Sequence, residues 1–458
     1  MDAKAPVRDA APTESRPGHW AVVGGGMLGL TLALRLTQNG QRVTVLEAAP
    51  SLGGLASAWQ VEDVVWDRYY HVIMLSDARL RALLSELELE DEIRWSVTKT
   101  NFFTGTSMYP LNNSFDYIRL PVLSLVDKAR LGATIVFGSR IENGRPLEKV
   151  SAESWLSRWS GRSAYRNLWR PLLRSKLGSN HGKASAAYIW SVIRRFYAAR
   201  RGGLKTEMFG YVPGGYRRIL AALADRLRDS GVTLETGRPV ASVVASGKGF
   251  QVTAGDETRH FDRVINTCAS PIAMRICEGL KPAERKQHHS ILYQGIVCAS
   301  LLLNRPLGGA YLTYITDETI PFTTVIEMSS LIERSEIGGR HLLYLPKYLP
   351  VDDPLLDADD AEIEAAFLPA LQRLFPDLTR DAIKAFKVTR TRHVLAVSTL
   401  NYSDNLPPMA TSIPGLYIVN SAQIVNASLS VDESVNLANE AVASIMTRDP
   451  VFISRPGQ

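Results

Sequence analysis

Three glycines at positions 24, 26 and 29, in the run HWAVVGGGMLGLTLALRL, constrain this chain more than any other feature. They stand between an apolar stretch short enough for a buried strand and a longer apolar stretch that reads as a helix stopped by Asn39 and Gly40. A second short stretch, QRVTVLEA, follows at once, so the spacing predicts a β-α-β unit with a right-handed crossover. In the pattern GxGxxG each glycine has its own task. Gly24 permits a tight turn, Gly26 lets the backbone come close to a pyrophosphate, and Gly29 lets the helix pack on the strand. Met27 and Leu28 fall in the first helical turn, whose main-chain N–H groups can meet an anion. Glu47 ends the second strand, where a carboxylate can accept both hydroxyls of a ribose. An acid there disfavours a 2′-phosphate and leaves FAD and NAD as candidate dinucleotides.

The 458 residues, 45% hydrophobic and 21% charged, suit a globular protein of two or more lobes. No apolar run approaches the roughly 20 residues of a membrane-spanning helix. The opening MDAKAPVRDAAPTESRPG lacks the apolar stretch of a secretory signal and reads as a flexible tail over residues 1–18. Cys268, Cys277 and Cys298 form no CxxC pair and the histidines are scattered, so neither a disulfide framework nor a metal site is expected, and a cytoplasmic setting is. The net charge of +6 is a mild excess, densest from Arg194 to Lys205 (RRFYAARRGGLK) after the apolar run AAYIWSVI. That stretch reads either as a basic amphipathic helix in peripheral contact with lipid head groups or as a solvated helix end finished by Gly202 and Gly203. No nucleic-acid partner is expected, and the oligomeric state is left open.

Further along, the pattern is largely helical from Ser76 to about Arg201, and Trp155, Trp159, Trp169 and Trp190 read there as core. Then YVPGGYRRILAALADRLRDSG gives a glycine turn and a helix, followed by strands at VTLETG, PVASVVASG, FQVTAG and FDRVINTC. From about Pro271 to Val394, strands QGIVCASLLLN, AYLTYIT, TTVIEM and HLLYLP precede a helix across DDAEIEAAFLPALQRLF. Near the end, IPGLYIVNS reads as a buried strand and SVDESVNLANEAVASIMTRD as a helix.

After Glu47 the chain reads LGGLASAW and then VVWDRYYHVI. Here it resembles the flavoprotein family of protoporphyrinogen oxidases, amine oxidases and carotenoid desaturases. The resemblance implies that Gly53 and Gly54, with Leu55 where the family commonly has a basic residue, lie along the phosphates and ribityl chain of FAD. It implies that Asp67, Tyr70 and His71 lead up to the flavin ring. By the same resemblance, in YVPGGY…GRPVASV the backbone of Val240 contacts the adenine. In IPGLYIVNSAQIV…VDESVNLANEAV the last strand lies beside the pyrophosphate, Ser421 and Gln423 supply polar contacts, and the helix from Val431 faces the flavin ring. FAD is therefore the implied cofactor. The implied fold is α/β: a Rossmann-like FAD-binding domain assembled from three chain segments (19–75, 205–270 and 405–450), plus an α+β substrate domain with a helical insertion (76–204 and 271–404).

No second strand-GxGxxG-helix unit occurs, so no NAD(P)H domain is expected. The hydride would come from a carbon of a small organic substrate, apolar or sugar-like. His71 is a candidate general base, weighed against a hydrogen-bonded structural histidine. Lys347, in LLYLPKYLP, is a candidate for the lysine that amine oxidases of this family often place near the flavin. A second reading is a flavin-dependent sugar-nucleotide mutase resembling UDP-galactopyranose mutase, which RYYHVIM and the basic charge allow. A third is a flavin-bound partner without catalysis.

Overall fold

Strands buried on both faces need helices or a second sheet on each side, and they read as unbroken apolar runs. WAVV and LYI are such runs, and VTVL and VIN are broken only by the buried Thr44 and Asn266. The computed structural model describes residues 18–105, 107–200, 208–425 and 427–448. In it those runs belong to β1 (His19–Val23), β2 (Arg42–Leu46), β4 (Arg263–Asn266) and β5 (Leu416–Ile418), numbered within one sheet that also holds β3 (Thr233–Glu235). The sheet is parallel, with order β3-β2-β1-β4-β5. Its strands thus come from three stretches of chain separated by long excursions.

Helix α1 (Met27–Gln38) crosses from β1 to β2, and α2 (Val431–Arg448) packs beside it, joining Leu30, Leu34, Val435, Ala438 and Ala441 in one core. On the opposite face lies an antiparallel sheet of Val240–Ser246, Gly249–Ala254 and Glu257–Phe261. Its Phe250, Val252 and Phe261 pack on Ala21, Val23 and Leu46.

The excursions build the second half of the molecule around a seven-stranded sheet. Its order is Ile383–Ala396, Tyr293–Leu303, His341–Pro350, Thr324–Glu327, Leu312–Ile315, Thr100–Thr104 and Ser107–Pro110. All neighbours are antiparallel except Leu312–Ile315 with Thr100–Thr104. One face is covered by helix Asp360–Leu374, through Ile363, Phe367 and Leu371. The other carries Cys298, Tyr311 and Tyr344 and meets the hairpin Ala58–Val61 and Val64–Asp67. A helical lobe from residue 114 to 200 closes on Trp155, Leu168, Trp169 and Tyr188, and Trp190 is buried too. Trp159 is half-exposed and stacks on Phe137.

Two expectations need correction. The stretch after Ser76 is not helical throughout, because Arg94–Val97, Thr100–Thr104 and Ser107–Pro110 are strands. Phe102 is fully buried, and the strand it sits on pairs with Leu312–Ile315, more than 200 residues downstream, so no local pattern announces it. Ile383–Ala396 is likewise a 14-residue strand that the sequence reading left unassigned. It lies at the sheet edge, where Lys384, Lys387, Arg390 and Arg392 interrupt the apolar pattern. Residues 1–17 of the expected tail and Arg201–Lys205 lie outside the described residues. Among the described residues no helix is long and apolar enough to cross a membrane, and no group of His, Cys, Asp or Glu is placed to hold a metal.

One buried carboxylate holds a turn of the large sheet. Glu327 accepts from the main-chain N–H groups of Leu307, Gly308 and Gly309 at 3.0, 3.1 and 2.8 Å. Glu327→Ala leaves those donors without their acceptor and should cost about 1–3 kcal/mol, read as a lower urea midpoint. An unchanged midpoint would show that the turn does not depend on it.

Candidate cofactor and substrate site

Gly24 adopts φ +107°, and a Cβ there would lie 2.3 Å from the Thr267 hydroxyl. A Cβ on Gly29 would lie 1.9 Å from the Gly24 carbonyl oxygen, so only glycine lets α1 start so close to β1. Gly26 is different. Its backbone is extended, and the nearest atoms to a built Cβ are 4.0 Å away, on Gly53 and Gly54. The protein's own packing therefore does not require glycine at 26; a close-lying ligand would.

Gly26 is also the N-cap of α1, with no side-chain cap and no acid in the first turn, where Met27 and Leu28 stand. The positive end of the helix dipole is left uncompensated, as a pyrophosphate requires. Against this turn lies the second glycine pair. Gly53 N–H donates to the Gly25 carbonyl at 2.8 Å, Gly26 and Gly53 form a parallel bridge, and Gly53 and Gly54 both have positive φ. Leu55, just beyond, packs among the aromatic residues of the second core.

The other two stretches arrive at the same edge. Glu47 accepts from Gly25 N–H at 2.6 Å and Ala49 N–H at 2.8 Å, which leaves each carboxylate oxygen a lone pair for a ribose hydroxyl. Arg238 N–H donates to the Glu47 carbonyl at 2.9 Å, and the strand from Val240 begins two residues on. Thr267 donates to the Val23 carbonyl at 2.8 Å, and the next carbonyl, that of Cys268, accepts from the Asn420 side chain at 3.0 Å. Ser421 follows directly and is half-buried.

Gln423, in contrast, spends its side chain on the turn. Its oxygen accepts from Asn420 N–H at 2.8 Å and its nitrogen reaches the Ile418 carbonyl at 3.3 Å, so the cofactor contact expected of it has little left to work with. Val431 opens α2, while Asp432 accepts from Arg79 and Leu80 N–H, each at 2.8 Å, tying that helix start to the helix Ala78–Glu86. A glycine cradle without side chains, an uncapped helix N-terminus and a carboxylate beyond it fit an FAD molecule laid along this edge.

The segment from Asp67 to His71 leads away from the cradle. Asp67 is buried and accepts from Tyr216 N–H at 3.0 Å at the start of helix Gly215–Asp229. Burial pushes its carboxyl up to about 8, while the N–H groups of Tyr216 and Arg217 pull it back. The side chain thus holds a helix rather than pointing freely at a ligand. His71 Nδ1 lies 3.2 Å from the Tyr69 carbonyl, which assigns the proton to Nδ1 and leaves Nε2 as the acceptor. Burial lowers the imidazole to about 4, against the opposing Tyr69 carbonyl, so the ring is neutral at neutral pH.

Tyr70 belongs to a cluster. Its hydroxyl lies 2.9 Å from that of Tyr348 and 3.0 Å from Lys176 Nζ. The ammonium also sits 4.8 Å from the Tyr70 ring centre and 5.3 Å from that of Tyr348. Burial raises the Tyr70 hydroxyl well above its ordinary value, so it stays protonated.

Lys176 was not legible beforehand. It sits in RPLLRSKL on helix Arg170–Leu177, and its run of cations reads as a solvated face. Lys347 is the correction that goes with it. Along His341–Pro350 side chains alternate, so Lys347 shares the face of Leu343, Leu345 and Leu349, which pack toward helix Asp360–Leu374. Tyr344 and Tyr348 take the other face, toward Tyr70. Lys347 is therefore placed away from the cluster, with its ammonium lowered by burial and partly restored by Asp353.

In the basic stretch, Arg195 pairs with the buried Asp77 at 2.8 Å and Arg194 lies over the Trp190 ring. Arg194 is exposed even so.

The profile of the flavin containing amine oxidoreductases matches residues 28–445. The chain belongs to this family. As a member it is an FAD-dependent oxidoreductase. Carotenoid phi-ring synthase of Streptomyces griseus is 27% identical over 270 residues, which are 54% of this chain and 51% of that protein, so this alignment spans about half of either. The 15-cis-phytoene desaturase of Synechococcus elongatus is 20% identical over 461 residues, covering 93% of this chain and 96% of its own. Among solved structures, an oxidoreductase from Methanosarcina mazei superposes with a TM-score of 0.73 at 18% identity, covering 93% of this chain and 100% of that one. Reduced UDP-galactopyranose mutase superposes at 0.71 with 16% identity, covering 96% of each. These likenesses show that the fold is shared.

Two outcomes check the placement of this family member's site. Gly26→Val fills the one open position of the cradle, and the purified variant should lose its flavin absorbance while keeping its fold by circular dichroism; a variant that stays yellow would count against the cradle. For His71, the unfolded chain takes up a proton near 6.5 and the folded one only near 4, so its neutral form stabilises the fold above 6.5 and that share is lost as the pH falls to 4. The melting-temperature gap between the protein and His71→Gln should narrow over that range, and a constant gap would refute the buried neutral state.

Proposed function

We propose that this flavoprotein removes a hydride from a carbon of an apolar or sugar-like organic molecule held beside the Tyr70, Tyr348 and Lys176 cluster. The observation that carries the reading is continuity. The chain that docks Gly53 and Gly54 on the helix N-terminus runs on within 17 residues to Tyr70, whose hydroxyl meets Tyr348 and Lys176.

In this reading Gly24, Gly26, Gly29 and the first-turn amides of Met27 and Leu28 hold the pyrophosphate, and Glu47 holds the adenosine ribose. The backbones at Gly53, Gly54, Val240 and Ser421 and the start of α2 at Val431 line the rest. When bound, FAD supplies the two-electron acceptor. The protein supplies position. Tyr70 presents a protonated hydroxyl, Tyr348 a second hydroxyl beside it, and Lys176 an ammonium within hydrogen-bond reach of the first. His71 is neutral and offers Nε2 as an acceptor, which suits either a weak base or an orienting contact. The domain division supported by this reading keeps the parallel sheet with the cofactor, over 19–75, 205–270 and 405–450, and gives 76–204 and 271–404 to the substrate. Three cysteines without a disulfide suit a reducing cytoplasm.

Likeness of fold to reduced UDP-galactopyranose mutase favours one rival, an isomerisation that needs the flavin reduced beforehand. The two part in one experiment. Under anaerobic conditions the oxidised holoprotein is mixed with polyenes, other apolar compounds and nucleotide sugars, and the flavin absorbance is followed. Bleaching by substrate supports hydride removal; turnover of a nucleotide sugar only after dithionite reduction supports the mutase. With a bleaching substrate, Lys176→Met should slow flavin reduction by about 10²-fold at unchanged FAD content. An unaltered rate would remove Lys176 from the site.

A further inference from the structure

The helical lobe carries a cavity of about 440 Å³ that the cofactor and the aromatic cluster do not use. Its wall includes Arg162, Arg166 and Arg170, with Tyr165, His181 and Glu153. The arginines recur every fourth residue, which puts them on one side of a continuous helical segment. Between them, Tyr165–Trp169 forms a π-helical turn, a wider winding often kept at functional sites.

Charge in this cavity is not balanced from within. Arg170 shares Glu318 with Arg174, at 3.1 and 3.0 Å, and Glu153 hydrogen-bonds the Tyr165 hydroxyl. Arg162 and Arg166 have no carboxylate partner among the described residues. Guanidinium groups of this kind match phosphate oxygens two at a time, which a lysine cannot do.

A neighbouring run of the lobe carries exposed apolar side chains. The Asn167 side chain donates to the Val122 carbonyl at 3.0 Å and Asp127 hydrogen-bonds Ser163, so residues 122–127 run beside the arginine segment. On that run Leu125 and Val126 are 75% and 67% exposed, and just before it Phe115 and Ile118 are 58% and 55% exposed. A cationic cavity suits a phosphate, and exposed apolar side chains on the adjoining run of the same lobe suit a hydrocarbon chain where the phosphate carries one.

We propose that this cavity binds a phosphate-bearing anion through Arg162 and Arg166, with Arg170 shared between the ligand and Glu318. The site is independent of the hydride chemistry proposed above, and its failure would leave that reading intact.

The holoprotein is titrated with inorganic pyrophosphate by calorimetry, and separately cosedimented with vesicles of phosphatidylcholine alone or with phosphatidic acid. The same is done for Arg162→Ala/Arg166→Ala and for Lys248→Ala/Lys286→Ala, which removes equal charge at exposed sites elsewhere. The expected result is saturable binding of pyrophosphate, of phosphatidic acid vesicles or of both, weakened at least about tenfold in the arginine variant and not in the lysine one. Which ligand binds identifies the source of the phosphate. Binding of neither, or equal weakening in both variants, overturns the proposal. Flavin absorbance, measured in every variant, shows that the cofactor site is untouched.

Discussion

The contact on which the rest depends is backbone against backbone: Gly26 beside Gly53, with Gly53 N–H bonded to the Gly25 carbonyl. A side chain is excluded on one side of this contact, where an added Cβ would lie 2.4 Å from Leu220 at Gly53 and 3.3 Å from the Gly26 Cα at Gly54, while at Gly26 the space is open toward the ligand. Because both are bare, the start of α1 and the segment leading to Tyr70 form one continuous floor, closed by an uncapped helix end. Glu47 braces its edge from the next strand, and Thr267 and Asn420 tie in the two distant stretches, each through hydrogen bonds at main-chain groups. Each fastening takes one polar side chain to a main-chain group, so the floor itself stays free of side chains.

The aromatic cluster works in the opposite manner. It depends on particular side chains from three places, Tyr70 after the cradle, Lys176 on a helix of the lobe and Tyr348 on the large sheet. Gly178 helps to join them, since a Cβ there would lie 2.3 Å from the Tyr348 carbonyl oxygen. The lobe is therefore seated directly on the strand that carries Tyr348.

What the sequence disclosed follows this division. The cradle was legible because its parts are local: glycine spacing within six residues, a strand and helix on either side, an acid at the end of the next strand. The parallel sheet was legible for the same reason, from runs such as WAVV that are apolar throughout. Lys176 was not, since a lysine among arginines on a helix has the same local signature whether it faces water or two phenol rings. Lys347 misled because an apolar setting does not say which face of a strand a side chain takes. Gln423 misled because a polar group after a strand can serve the ligand or its own turn. The strand at Thr100–Thr104 was missed because it is short and pairs far away in the chain, and Ile383–Ala396 because its cations interrupt the apolar pattern.

A ring quadrupole attracts a cation without neutralising it. Among the described residues no carboxylate pairs with Lys176. The lobe thus projects a standing positive potential into an apolar interior, where it fades slowly with distance. In the reading proposed above, that potential would disfavour substrates that bring a positive charge of their own.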